Sequence, residues 1–136
     1  MKQQTLAKSF SLEGVGLHTG KTVIIEFEPA EVNHGIRFMR VDMQDQPVLT
    51  ADVNQVVSTN RGTTIRNGEA QISTVEHVLS ALTGTGVDNV LIKVNGPEIP
   101  IMDGSAMDFV DGILGAGLLE QGTDREYFEI EEPISF

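Results

Sequence analysis

The stretch ISTVEHVLSALTG, residues 72–84, constrains this chain more than any other, because it spells out one short helix with two unlike faces. Val75, Val78, Leu79 and Leu82 fall at i, i+3, i+4 and i+7, which makes one apolar stripe. At about 100° per residue, His77 points almost opposite that stripe, with Glu76 on its flank and Ser80 one turn on. Ser73 followed three residues later by Glu76 has the form of a capping box, in which a hydroxyl and a carboxylate take up N–H groups that the first turn leaves unpaired. Gly84 is the expected stop, since glycine reaches the left-handed conformation without a Cβ penalty. The stripe demands a core, and the Glu–His pair is left on the other side. Two readings of that pair stand: Glu76 caps while His77 faces water, or the two do chemistry.

The core is to be supplied by strands. Residues 21–28, KTVIIEFE, are β-branched and apolar up to Pro29, and 87–94, VDNVLIKV, repeat that character. Residues 36–41 alternate apolar and basic side chains, and 5–13 form a further candidate strand. Asn33-His34-Gly35 reads as a turn, and Asn67-Gly68 as a type I′ hairpin between 63–66 and 69–72. Residues 43–60 show no regular pattern. A second helix is expected from Ser105 as its cap, with Met107, Val110, Ile113 and Leu114 sharing a face and Gly115 and Gly117 weakening its end. Residues 118–125 read as a polar linker, and 127–134 as a strand. Strands, then helix, strand and helix, make an α+β two-layer sandwich, a mostly antiparallel sheet with two helices packed on one face.

Composition narrows the function classes. A formal net charge of −11 opposes a nucleic-acid binder, which needs a basic face. With no cysteine there is neither a disulfide framework nor a thiolate metal site. No segment approaches the roughly 18 apolar residues of a membrane span. The N-terminus lacks a signal-peptide core. These features lead to the expectation of a soluble, cytoplasmic protein. The glycines at 14, 16 and 20 form a tight loop open to close backbone approach, but they do not fit the G-x-G-x-x-G spacing of a dinucleotide site.

Three strings, GVGLHTGK at 14–21, ISTVEHVLSAL at 72–82 and NGPEIPIMDGSA at 95–106, resemble in order and spacing the N-terminal half of the UDP-3-O-acyl-N-acetylglucosamine deacetylases. The resemblance runs from about residue 3 to 126. It implies a zinc enzyme of lipid A biosynthesis in Gram-negative bacteria, built from two similar α+β domains with the active site between them. By the TVEH motif, it makes Glu76 the general base and His77 a zinc ligand. The family's other zinc ligands, a His and an Asp in an HKxxD motif, belong to its second domain, together with a catalytic Lys and a late His; this chain has no HKxxD. The expected division is therefore an N-terminal domain over 1–125 and, over 126–136, a linker and first strand of a second domain that the chain does not contain. The partners implied are a UDP-linked acylated glucosamine and the enzyme's own second domain. The chain alone is expected to be inactive.

The same match sets out lesser candidates. Leu17 is implied to line the substrate cleft, and His18 to lie at its rim or to be a polar turn residue. Asn60, Arg61 and Gly62 fall where the family has a rim segment, with Arg61 a possible diphosphate or sugar contact. Asp103 and Ser73 are given supporting roles, the first organising a glycine turn and the second capping. Glu98 and Asp108 are expected to be solvated, and His34 to be a turn residue. Alternative readings are a catalytically silent assembly module, a metal-free carboxylate enzyme using Glu76 with Asp103, and the N-terminal part of a deacetylase fused to a 3-hydroxyacyl-carrier-protein dehydratase.

Overall fold

Strict alternation decides how the central strands lie. The computed structural model describes residues 1–52, 56–58 and 62–125. In β3 (Thr22–Pro29), Val23, Ile25 and Phe27 are buried while Ile24 stays 47% exposed, so one face of the strand is core and the other is not. Its partner β9 (Val90–Val94) buries Val90, Ile92 and Val94, and the register sets Ile25 opposite Val94 and Phe27 opposite Ile92. β4 (Ile36–Arg40) runs parallel to β9 with Phe38 beside Ile92, and β5 (Val48–Thr50) closes that edge with Leu49 beside Phe38. β2 (Phe10–Val15) closes the other edge against β3, completing the order β2-β3-β9-β4-β5.

The remaining strands form two smaller sheets. β6 (Val56–Ser58), β7 (Thr64–Asn67) and β8 (Ala70–Ser73) make an antiparallel meander. β1 (Lys2–Leu6) pairs with β10 (Leu118–Asp124). Helices α1 (Glu76–Thr85) and α2 (Met107–Ala116) cover the apolar face of the five-stranded sheet. The arrangement is α+β, as expected, with its strands divided among three sheets sharing one core. No helix among the described residues is long and apolar enough to cross a membrane.

Several local expectations are corrected. Residues 118–125 are no linker: Leu118–Asp124 is the strand that closes on β1. The strand expected over 5–13 is two strands, β1 and β2, broken at residues 7–9. The hairpin loop is Gly68-Glu69, since Asn67 pairs with Ala70, and only Gly68 has positive φ, as a type II′ turn requires. α1 begins at Glu76 with Val75 as an N-cap that makes no side-chain bond, so the Ser73–Glu76 capping box does not form. It ends on Gly86 (φ +84°) rather than Gly84. Of its stripe, Val75, Val78 and Leu82 are buried and Leu79 only partly. α2 is turned from the expected face: Phe109, Ile113 and Ala116 are buried, while Met107 and Leu114 are 55% and 58% exposed. Its N-cap is Ala106, and Ser105 Oγ accepts the Met107 N–H at 3.2 Å. The strand expected over 127–134 lies outside the described residues.

Polar groups tie the sheets together. Buried Arg40 donates to both oxygens of Asp42 (2.8 and 2.7 Å) and to the Gln71 carbonyl (2.8 Å), joining the five-stranded sheet to β8. These guanidinium bonds hold the Asp42 carboxyl below its ordinary range. Asn89, also buried, donates to the Gln3 and Gln121 side chains and accepts from the Gly35 N–H, fastening the β1–β10 pair.

Phe10 stacks on Phe27 at 4.4 Å, and Phe27 meets Phe109 of α2 at 6.4 Å. α2 comes this close because position 112 is glycine: a Cβ there would overlap the Phe10 ring. Gly115, in the same helix, faces open space. Gly112→Ala should therefore destabilise the chain by about 1–3 kcal/mol through overpacking, whereas Gly115→Ala should stabilise it by roughly 0.5–1 kcal/mol through helix propensity. Denaturant midpoints of the two variants check the opposite signs.

Candidate active site

Between β8 and α1 there are two residues, Thr74 and Val75, and the chain turns there by putting Thr74 at φ +65°. A β-branched residue in this region is strained, by about 1–3 kcal/mol. The Thr63 carbonyl holds the turn by accepting the Thr74 N–H at 2.9 Å and the Val75 N–H at 3.4 Å. The Thr63 N–H in turn donates to Glu76 Oε1 at 2.7 Å. One residue thus fixes both the start of α1 and the direction of its first carboxylate. Gly62 (φ +93°) backs the other oxygen: a Cβ there would sit 3.2 Å from Glu76 Oε2. Glu76 is exposed and His77 is half-buried, the latter against the expectation of full exposure.

A second wall comes from the segment after β9. Ser73 donates its N–H to the Pro97 carbonyl (2.9 Å) and accepts the Ile99 N–H (3.0 Å), and Ile101 donates to the Val15 carbonyl (2.9 Å). Pro100 and Met102 press on Gly14, where a Cβ would lie 2.7 Å from Met102 Sδ. The segment then turns through Met102 (φ +54°) and Gly104 (φ +85°) to Asp103. Asp103 Oδ1 accepts the Ser105 hydroxyl at 2.7 Å and its N–H at 2.9 Å. The Ser105 hydroxyl chiefly, and its N–H next, hold Asp103 below its ordinary carboxyl range. His77 adds the smallest of the contributions in the same direction.

The structure thus brings Gly62 against Glu76, with His77 next in the helix, and sets Asp103 on the second wall. Ser73 is near them but does not cap; its hydroxyl pairs with that of Thr64 at 2.9 Å. Leu17 is 59% exposed on the glycine loop, and His18 beside it is exposed. Asn60 and Arg61 lie outside the described residues. Glu98 is not solvated: it is 2% exposed and accepts the His18 N–H at 2.9 Å and the Thr19 N–H at 3.1 Å. The reading of the sequence had no role for Thr63 and Thr74. The glycine-rich loop was the available signal for Glu98, since backbone open to close approach needs something to approach it. Among the described residues, no three or more His, Asp or Glu side chains group as a metal site, and His77 is a single imidazole.

Fold and site define an α+β domain that presents a carboxylate–imidazole pair at the uncapped start of a helix. Residues 3–136 match the family model described as "LpxC: UDP-3-O-acyl N-acetylglycosamine deacetylase", and the chain belongs to that family. It is 46% identical over 134 residues to the UDP-3-O-acyl-N-acetylglucosamine deacetylase of Psychrobacter sp. (strain PRwf-1), covering 98% of this chain and 45% of that protein. It is 48% identical over 134 residues to the deacetylase of Legionella pneumophila (strain Corby), with 98% and 44% covered. It is also 49% identical over 131 residues to the bifunctional enzyme LpxC/FabZ of Porphyromonas gingivalis, with 96% and 28% covered. The chain thus spans less than half the length of these curated relatives.

The Thr74 hydroxyl is buried and makes no hydrogen bond among the described residues. Replacing an unpaired buried hydroxyl by a methyl of the same shape is close to neutral or stabilising. Thr74→Val should therefore leave stability unchanged or raise it by about 1 kcal/mol. Chemical denaturation of the variant checks this, and a clear loss would reveal a partner for the hydroxyl.

Proposed function

We propose that this chain forms one wall of a zinc-dependent deacetylase that hydrolyses the acetamide of UDP-3-O-acyl-N-acetylglucosamine in lipid A biosynthesis. The observation that carries the reading is the Glu76 carboxylate, exposed yet held at Oε1 by the Thr63 N–H, with the His77 imidazole next to it. A carboxylate oriented through one oxygen has the other available for proton transfer. In this reading Glu76 is the general base that takes the proton of the attacking water, a step that typically contributes about 10²–10⁴ in rate. No competition arises between capping and catalysis, because Glu76 bonds to Thr63 and not back to Ser73.

His77 is assigned as one zinc ligand. The donor set fits a first ligand: a half-buried imidazole in the first turn of α1, next in the chain to the Glu76 carboxylate. A catalytic zinc site takes three protein ligands, so the others are assigned to the part of the relatives that this chain does not span. When bound, zinc supplies Lewis-acid polarisation of the amide and lowers the pKa of water to near 7. Leu17, His18, Asn60, Arg61 and Gly62 are assigned to substrate binding. The reading places the reaction in the cytoplasm, in keeping with a chain that has no cysteine. Relatives of both kinds, single deacetylases and LpxC/FabZ enzymes, resemble this domain, so the proposal concerns chemistry common to them.

In the full-length enzyme, Glu76→Gln should retain zinc and lose at least about two orders of magnitude in turnover. His77→Ala should lose zinc as well as activity. Zinc content and steady-state kinetics of the purified variants test this. Near-normal turnover of zinc-loaded Glu76→Gln would remove Glu76 from the chemistry.

A further inference from the structure

Glu98 is a charged side chain that the chemistry above does not use. Burying a carboxylate costs several kcal/mol unless its oxygens are bonded. Glu98 is 2% exposed, and its two oxygens accept the consecutive N–H groups of His18 and Thr19. The loop is shaped to receive it: a Cβ on Gly16 would lie 2.6 Å from Glu98 Oε2 and 2.6 Å from Thr19 Oγ1. No positive φ is imposed at Gly16, so it is this close approach that requires glycine there. On its other side Glu98 bridges Ser73, whose neighbours Pro97 and Ile99 bond to the Ser73 backbone three residues before Glu76. One residue thus links the arm carrying Leu17 and His18 to the strand end that launches α1.

We propose that Glu98 is a positioning residue: its carboxylate fixes the Leu17–His18 arm against the start of α1, and so sets how firmly the enzyme holds its substrate without taking part in the chemistry. The inference rests on the deacetylase reading. In Glu98→Gln, one carboxylate oxygen becomes an NH₂ group facing an N–H donor, so one of the two bonds is lost.

The test uses the full-length zinc enzyme and three variants, Glu98→Gln, Gly16→Ala and the double variant, assayed well below their thermal midpoints. KM should rise about tenfold in each single variant, with kcat within about twofold of wild type and zinc content unchanged. The double variant should be no worse than either single, because both break the same contact. Should Glu98→Gln fail to fold, Gly16→Ala reads the same contact from the loop side. An unchanged KM, a fall in kcat at constant KM, or additive effects in the double variant would each overturn the proposal. Failure of the deacetylase reading shows separately, as zinc-loaded Glu76→Gln that keeps its turnover.

Discussion

The backbone pairing of Ser73 with residues 97 and 99 is the interaction on which the rest of this site depends. Ser73 ends β8, and three residues later α1 begins. Because both its N–H and C=O are engaged, by Pro97 and Ile99, the segment after β9 is laid against the base of the helix. That segment then carries Glu98 to the glycine loop, bonds Val15 through Ile101 and leads on to Asp103. Three stretches far apart in sequence meet through one extended run of backbone. Remove it, and Glu76 keeps its helix and its bond to Thr63 but loses the wall that carries Glu98 and Asp103.

Apolar burial and polar latches have divided the work. Hydrophobic packing sets the layers: Phe27 between Phe10 and Phe109, and Val75, Val78 and Leu82 against the sheet. Such packing tolerates small shifts, and it does not by itself specify where one sheet lies relative to another. Directional bonds fix that, through Arg40 to Asp42 and Gln71, Asn89 to Gln3 and Gln121, and Glu98 to His18 and Thr19. Of the five non-glycine residues with positive φ among the described residues, two adjoin the candidate chemistry. Thr74 at φ +65° and Met102 at φ +54° precede Glu76 and Asp103 by two residues and one. Strained backbone persists only where its surroundings over-determine it, and here the Thr63 carbonyl and the Gly14 contact do so.

What could be read in the sequence was whatever local periodicity controls. The β-branched apolar run of β3 and the stripe of α1 placed the core, and the TVEH string put Glu76 and His77 side by side. The start of α1 could not be read, because Ser73 and Glu76 have the spacing of a capping box while the backbone of Ser73 is claimed by residues more than twenty positions away. β10 looked like a linker because its burial is patchy and its partner β1 lies over a hundred residues earlier. α2 was expected to turn Met107 inward, yet the glycine at 112 lets the helix approach Phe10 and bury Phe109 instead. Glu98, between Pro97 and Ile99 in a loop, has no local mark of burial; its two donors come from about eighty residues upstream.

The central claim is that residues 97–101, the glycine loop and the start of α1 form one cooperative unit. Amide hydrogen exchange measures this directly, since bonds in one unit open together with one free energy. The account expects the amides of Ser73, Ile99, Ile101, His18 and Thr19 to exchange as a group, at the slow rate of core amides such as Ile92. If His18 and Thr19 instead exchanged as fast as Glu69 in the exposed hairpin loop while Ser73 and Ile99 stayed protected, the loop would be independent of the helix start and the account would be contradicted.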